Sequence, residues 1–123
     1  MRRPEQDLQR QVVAWLNIAL PRTAWFCHIP NGGYRSIAEG AIMKGMGVRA
    51  GAPDLLIVHQ GRAHFIEMKA PGKANDATAL QQGCHVDLFE AGAPTRICDS
   101  LESVQAALEG WGIPMKVKMA RAA

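Results

Sequence analysis

Two acidic residues and one lysine lie close together around a short predicted hairpin. Asp54 precedes one apolar segment, and Glu67 and Lys69 lie within the next. If the turn is centred between Gln60 and Gly61, the numbers of paired residues sum to about 121, so Asp54 faces Glu67 with its side chain on the same side. Lys69 shares that face, because side chains alternate along a strand and Lys69 lies two residues beyond Glu67.

This set of residue types fits the hydrolysis of phosphodiesters. Opposed carboxylates repel each other, and a cation between them removes that cost. Carboxylate oxygens completed by waters suit Mg²⁺ or Mn²⁺, and such an ion activates water and neutralises charge on a phosphate. A nearby lysine can orient the water or stabilise the oxyanion. The alternative is structural: an aspartate at a strand start and a Glu–Lys pair on a solvated strand face.

Two further polar residues stand at the start of apolar helical stripes. Glu5 lies three residues before Leu8, and Gln81 lies three residues before Cys84. A polar side chain at the edge of a buried face needs a partner, so we expect both to point toward the acids of the hairpin. The alternatives are a first-turn glutamate favoured by the helix dipole and an amide bonded to backbone.

The elements that position these residues follow from hydrophobic periodicity and turn signals. Helices are predicted at 5–20, 36–46, 78–91 and 100–109, and strands at 25–29, 55–58, 63–70 and 95–98. The fully apolar segment 55–58 is typical of a strand covered on both faces. Asp99 with Glu102 predicts the cap of the last helix, and Gly110 its end. The order α-β-α-β-β-α-β-α predicts an α/β fold with a central mixed sheet.

Length, charge and cysteine content narrow the class of protein. The 123 residues predict a single domain over 1–123 with a basic tail at about 113–123. The net charge is +3, but residues 1–75 carry +5 and residues 76–123 carry −2, and a positive surface attracts phosphates. Three widely spaced cysteines argue against a disulfide framework and structural zinc. No signal peptide or membrane span is visible, so we expect a cytoplasmic protein without a membrane partner or a small-molecule cofactor.

The hairpin motif also resembles a known family. The sequence GAPDLL at 51–56, followed by FIEMKA at 65–70, resembles the PD-(D/E)XK nuclease superfamily and, more narrowly, the virus-type replication–repair nuclease (VRR-NUC) family. The resemblance covers about residues 3–112. Its further matching pieces are Glu5 with Leu8-Gln9, the segment HIPNGG at 28–33, Lys44, and Gln81 eleven residues before Gly92. The chain departs from the family at Gly83-Cys84, where a larger aromatic residue is common.

The resemblance implies a fold and a metal site. The fold is a restriction-endonuclease-like PD-(D/E)XK core, a central mixed sheet flanked by helices. The metal, Mg²⁺ or Mn²⁺, would be held by Asp54, Glu67 and the main-chain carbonyl of Met68. Glu5 would bind it directly or through water.

The resemblance also implies roles for residues that do not bind the metal. Lys69 would assist the nucleophile, and Gln81 would position the substrate or a water. Polar and basic residues that lie beside the site and the glycine-rich turn are candidates for contacts to phosphate. They are His28, Asn31, Arg35, Lys44 and Arg49.

These observations predict a metal-dependent DNA endonuclease of the VRR-NUC family. The resemblance implies a homodimer acting on branched DNA such as four-way (Holliday) junctions, which suits a phage or repair protein. The alternatives are a flap, splayed-arm or nonspecific DNA nuclease, an endoribonuclease, and a nucleic-acid-binding module without catalysis. Candidate residues for the dimer interface lie on the second helix. The alternative interpretation is that these side chains fill the core of the monomer. They are Ile37, Ile42, Met43 and Met46.

Overall fold

The chain forms helices and strands in the predicted order. The structure is a computed structural model that describes residues 3–30 and 36–119. The helices are α1 (Pro4–Ala19), α2 (Ile37–Gly45), α3 (Ala79–Glu90) and α4 (Leu101–Trp111). The strands are β1 (Ala24–His28), β2 (Leu55–His59), β3 (Arg62–Met68) and β4 (Thr95–Cys98). In this described part of the chain, no helix is both long and apolar enough to cross a membrane.

The four strands form one mixed sheet in the order β1-β2-β3-β4, in which only β3 and β4 run parallel. The β2–β3 hairpin closes through Gln60 and Gly61, which have φ angles of 49° and 75°. Two successive left-handed residues are typical of a type I′ turn. Paired residues have numbers that sum to 121, as predicted, and the last pair on this side is Leu55 with Ile66. The next residues along the two strands, Asp54 and Glu67, are joined by a hydrogen bond between their side chains.

The hydrophobic core lies on one face of the sheet, under α1 and α4. Alternate residues of β2 and β3 point into it, because successive side chains of a strand face opposite ways. The core residues are Leu55, Ile57, Ile66 and Met68 from the sheet, Leu8, Val12 and Leu16 from α1, and Val104, Ala107 and Leu108 from α4. Because the hydrophobic core covers this face of the sheet, the other face of the hairpin is available for polar groups.

The second face of the sheet carries Asp54, Phe65, Glu67 and Lys69 and lies beneath α3. Neither α2 nor α3 has a buried residue among those described. Strand β2 is therefore fully buried on one face only, with burial alternating along its length. The prediction that β2 is covered on both faces was wrong, because α3 crosses this side without closing over it.

The limits of α4 differ from those predicted. Ser100, rather than Asp99, caps the helix by accepting a hydrogen bond from the N–H of Ser103 at 3.0 Å. The helix also continues through Gly110 and ends before Gly112, whose φ of 74° suits a left-handed C-terminal glycine. Several residues here can cap or end a helix, and the backbone conformation decides between them.

The segment after α4 packs against the helices as far as residue 119. Ile113 is buried in the core. The N–H of Lys116 donates to the carbonyl of Ala19 at 2.7 Å, and the N–H of Met119 donates to Oε1 of Gln105 at 2.7 Å. The described part of the predicted basic tail therefore belongs to the folded structure.

Candidate active site

Asp54 is held between two strands immediately before β2. Its N–H donates to the carbonyl of Ile66 at 3.1 Å, and its own carbonyl accepts from the N–H of Ile29 at 2.7 Å. Oδ2 of its side chain accepts from the N–H of Met68 at 2.7 Å. The backbone and the carboxylate of Asp54 are thus both fixed, and the carboxylate is also hydrogen-bonded to Glu67.

Glu67 is the most deeply buried acid near Asp54, with 2% of its side chain exposed. Its pKa is raised from 4.5 to about 9, first by burial and then by the hydrogen bond and negative charge of Asp54. Glu5 adds to the rise, whereas the positive charge of Lys69 opposes it. At neutral pH and without a bound cation, Glu67 therefore keeps its proton.

Glu5 joins the cluster from the first turn of α1. Partial burial raises its pKa, the charge of Asp54 raises it further, and Lys69 lowers it. The side chain of Glu5 is therefore near enough to Asp54 and Lys69 to respond to both charges, as its place at the start of the α1 stripe predicts. The structure thus brings Glu5, Asp54, Glu67 and Lys69 together from α1, the start of β2, and the end of β3.

Gln81 connects the lysine to the buried glutamate. Its Oε1 accepts from Nζ of Lys69 at 2.8 Å, and its Nε2 donates to Oε2 of Glu67 at 3.4 Å. The same Oε1 accepts from the N–H of Thr78 at 2.9 Å, while the N–H of Gln81 donates to Oγ1 of Thr78. This capping box stabilises the start of α3, so one side chain both caps the helix and orients Lys69 and Glu67.

Gly51 allows α3 to approach the hairpin motif closely. Its φ is +83°, and a Cβ atom built on it would lie 2.6 Å from the carbonyl oxygen of Leu80. Any other residue would therefore push away the first turn of α3, which carries Gln81. The glycine of the GAPD motif is explained by this contact.

His28 supports Asp54 from the end of β1. Its Nδ1 lies 2.8 Å from the carbonyl oxygen of Asp54 and 2.9 Å from Nε2 of Gln9. The Nδ1 atom of His28 is thus used within the protein, and the expected phosphate contact of this residue stays a prediction. Gln9 was noted in the sequence only as part of the family pattern.

Sequence reasoning missed His85, which lies one turn after Gln81 on α3. Its Nε2 is 3.3 Å from Oε1 of Glu67, and 15% of its side chain is exposed. Burial lowers its pKa, and the charge of Lys69 lowers it further. The spacing could have revealed it, because residues four apart share one face of a helix.

A solved structure titled "VRR_NUC domain protein" superimposes on this architecture. The match has a TM-score of 0.69 and 24% sequence identity, and it covers 90% of this chain and 89% of that chain. This chain has the VRR-NUC fold. No family model matches the sequence, and the search of curated proteins also finds no match. The fold class predicted from the motifs is confirmed by this comparison.

Within the VRR-NUC fold, the predicted phosphate contacts fall into different settings. Lys44 and Arg49 are exposed and line an open cavity of about 670 Å³ between α2 and the GAPD motif. A neighbouring cavity of about 630 Å³ also includes Arg49 and reaches Phe65 beneath α3. Asn31 and Arg35 lie outside the described residues. The two cations thus border open space that leads toward the face carrying Glu67.

The VRR-NUC resemblance implies a divalent metal ion at the cluster of Glu5, Asp54 and Glu67. Among residues 3–30 and 36–119, no group of three or more His, Cys, Asp or Glu side chains is arranged to hold a metal ion. The opposed pair Asp54 and Glu67 still fits one hard cation, because Mg²⁺ is commonly held by one or two carboxylates and several waters. Burial raises the pKa of Glu67, and the hydrogen bond and negative charge of Asp54 raise it further, so a bound cation would favour the ionised form of this carboxyl group.

The apolar residues of α2 are exposed on the VRR-NUC fold. Ile37 is 94% exposed, and Ile42 and Met46 are also exposed, while Met43 is half-buried. The alternative interpretation, in which these side chains fill the monomer core, is therefore wrong for the first three. Cys27, Cys84 and Cys98 are free thiols, as their spacing predicts.

Proposed function

We propose that this protein is a nuclease of the VRR-NUC family that hydrolyses phosphodiester bonds in DNA with a divalent metal ion. The observation that carries this proposal is the buried Glu67 opposite Asp54, with Glu5 and Lys69 beside them. Burying a carboxyl group next to other acids costs stability. A fold built for stability alone would place an apolar pair here, so the cluster is better explained by a function that needs it.

The chemistry of the donors suits Mg²⁺ or Mn²⁺. Asp54 and Glu67 would bind the ion with the main-chain carbonyl of Met68, and Glu5 would bind it directly or through water. When bound, the ion supplies an activated water and neutralises negative charge on the phosphate. The carboxylate of Asp54 accepts from the N–H of Met68 and is hydrogen-bonded to Glu67. The bond to Glu67 needs the proton on that residue, so loss of the proton on metal binding would free an oxygen for the ion.

Lys69 is placed to act on the nucleophile or on the developing oxyanion. Its side chain is buried, and Oε1 of Gln81 holds Nζ at 2.8 Å. An ammonium group has three N–H donors, so two remain for a water and a phosphate oxygen. Preorganised donors of this kind act most strongly on charge that develops in the transition state. Gln81 would thus serve by positioning Lys69.

Substrate approach is favoured by the positive charge of the first 75 residues, net +5. Lys44 and Arg49 line the open cavity between α2 and the GAPD motif, and Arg49 also lines the neighbouring cavity that reaches Pro53 and Phe65. Contacts to phosphates carry no sequence information. We therefore expect binding that depends on salt and on the shape of the nucleic acid more than on its sequence.

Cleavage of matched DNA and RNA substrates with Mg²⁺, Mn²⁺ or EDTA tests the proposal. We expect metal-dependent cleavage of DNA that is lost in Asp54→Ala and Glu67→Ala. The control Glu90→Ala removes an exposed carboxylate at the end of α3 and should cleave as the wild type does. Cleavage by either acid variant at the wild-type rate would disprove the site. Cleavage of RNA alone would favour the endoribonuclease alternative, and binding without cleavage would favour a non-catalytic module.

We further propose that the protein acts as a homodimer on branched DNA, with four-way junctions as the preferred substrate. Two symmetric cuts need two sites, and a C₂ dimer supplies them around one axis. The exposed Ile37, Ile42 and Met46 support an interface on α2, since apolar side chains clustered on a surface mark interaction sites.

Light scattering at micromolar concentration tests the dimer. We expect the mass of a dimer for the wild type and of a monomer for Ile42→Asp, with paired junction cuts replaced by single nicks. Lys73→Asp is a matched control on an exposed loop. A monomeric wild type that nicks one strand would exclude the dimeric junction nuclease and leave the nuclease proposal standing.

A further inference from the structure

The inward direction of the His85 side chain is not explained by the packing of its helix. It lies on α3, a helix without a buried residue among those described, yet its side chain turns inward and is only 15% exposed. A histidine that merely covered the surface of α3 would point to solvent, as Val86 beside it does. Its inward direction indicates a partner within the site.

That partner is the carboxyl group of Glu67. Nε2 of His85 lies 3.3 Å from Oε1, and Nε2 of Gln81 lies 3.4 Å from Oε2. Two side chains one helical turn apart therefore contact the two oxygens of one carboxyl group. Together they oppose rotation of the carboxyl plane, which a single contact would leave free. Each oxygen has a second lone pair, so the contacts leave Glu67 able to bind a cation.

We propose that His85 is a positioning residue, which orients Oε1 of Glu67 so that the carboxylate can bind the metal ion. The inference rests on the proposed function for the identity of that ion. Groups that hydrogen-bond a metal ligand orient it, and their loss lowers metal affinity by about 10- to 100-fold. His85 acts through Glu67, and its effect belongs to metal binding more than to contact with the substrate.

Titration of the metal-free protein with Mn²⁺, followed by the loss of the free-ion EPR signal, tests this role without an activity assay. His85→Leu keeps an apolar side chain and removes the nitrogen, and we expect its affinity for Mn²⁺ to fall by about tenfold or more. His85→Gln places an amide nitrogen near the position of Nε2 and should stay within about threefold of the wild type. Val86→Ala, an exposed neighbour, is the control for changes in α3 and should leave the affinity unchanged.

Cleavage kinetics provide a second readout. His85→Leu should need more Mn²⁺ for half-maximal rate, while the KM for DNA stays close to that of the wild type. Unchanged Mn²⁺ affinity in His85→Leu would overturn the proposal. Equal losses in His85→Leu and His85→Gln would also overturn it, because the shape of the ring rather than its nitrogen would then matter.

A measurement on the metal-free protein separates this inference from the proposed function. Glu67→Gln should shift the ¹⁵N resonance of Nε2 in His85, whereas Val86→Ala should not. An unshifted resonance would show that His85 does not contact Glu67 and would overturn the positioning role. A wild type that binds neither Mn²⁺ nor Mg²⁺ would overturn the proposed function and, with it, the positioning role for metal binding. A shifted resonance in that case would establish only the contact between His85 and Glu67.

Discussion

Replacing Glu67 with glutamine should stabilise the metal-free protein, and the gain should grow with pH. In the folded protein, the pKa of Glu67 is raised from 4.5 to about 9 by burial and by Asp54. A raised pKa means that the stability contributed by the protonated group is complete below about pH 4.5 and is lost as the pH rises toward 9. Glutamine is neutral at every pH and keeps the shape of the side chain, so it avoids this loss.

The size of this stabilisation follows from the single proton that Glu67 binds in the folded protein. Between pH 4.5 and 9 the folded protein holds about one more proton than the unfolded chain, because of Glu67. The free energy of unfolding therefore falls by up to about 1.4 kcal/mol per pH unit. At pH 7, about 2.5 units above the ordinary pKa, Glu67→Gln should exceed the wild type by up to about 3 kcal/mol. At pH 5 the difference should be below about 1 kcal/mol.

Urea denaturation in EDTA at pH 5 to 9 measures this difference, with Glu90→Gln as the control for loss of an exposed carboxylate. We expect the curves of wild type and Glu67→Gln to diverge as the pH rises, and those of wild type and Glu90→Gln to remain parallel. A difference that is constant or shrinks with pH would refute the assignment of a raised pKa to Glu67. Added Mg²⁺ should stabilise the wild type at pH 8 more than Glu67→Gln, because it binds the ionised carboxylate.

Four further variants test other parts of the structure. Lys69→Ala should lower kcat by about 100-fold or more while Mn²⁺ and DNA binding persist; an equal loss of DNA affinity would make it a phosphate anchor. Gly83→Ala should raise the free energy of unfolding by about 0.5–1 kcal/mol, since its Cβ meets nothing and the residue is helical. Gly51→Ala should lower it by more than about 1 kcal/mol, because of the positive φ and the contact with Leu80; denaturation curves decide both. Lys44→Ala should weaken DNA binding equally for all sequences and reduce the salt slope by about 1, whereas a change confined to one sequence would contradict a phosphate contact.

The opposition of Asp54 and Glu67 could be predicted because it depends on local chemistry. Gln60-Gly61 forms a two-residue turn, and the turn fixes the register of every pair in the hairpin. The direction of Glu5 was also predictable, because it begins the α1 stripe that is buried in the structure. These signals need only the sequence around each residue. Gln81 reaches the site for a different reason, because α3 has no buried residue among those described and the side chain instead bonds Lys69 and Glu67 while it caps the helix.

The remaining features depend on how distant elements pack. His85 is recognisable only when α3 is known to cross the face that carries Glu67, and the contact between His28 and Asp54 depends on β1 pairing with β2. Ser100 and Asp99 are both competent caps, and the backbone path out of β4 selects Ser100. Periodicity also predicts apolar stripes for α2 without showing whether the monomer covers them.

The lack of buried residues in the described part of α3 also affects its local stability. The helix is held by its capping box, by the contact at Gly51, and by the polar side chains that reach Glu67. Elements with few buried contacts open at a lower free energy than the core. The amides of α3 should therefore exchange with solvent before those of α1 and α4, while the sheet stays intact. Each opening withdraws Gln81 and His85 from Glu67, so the fraction of molecules with an assembled site is governed by this local equilibrium and not by global unfolding.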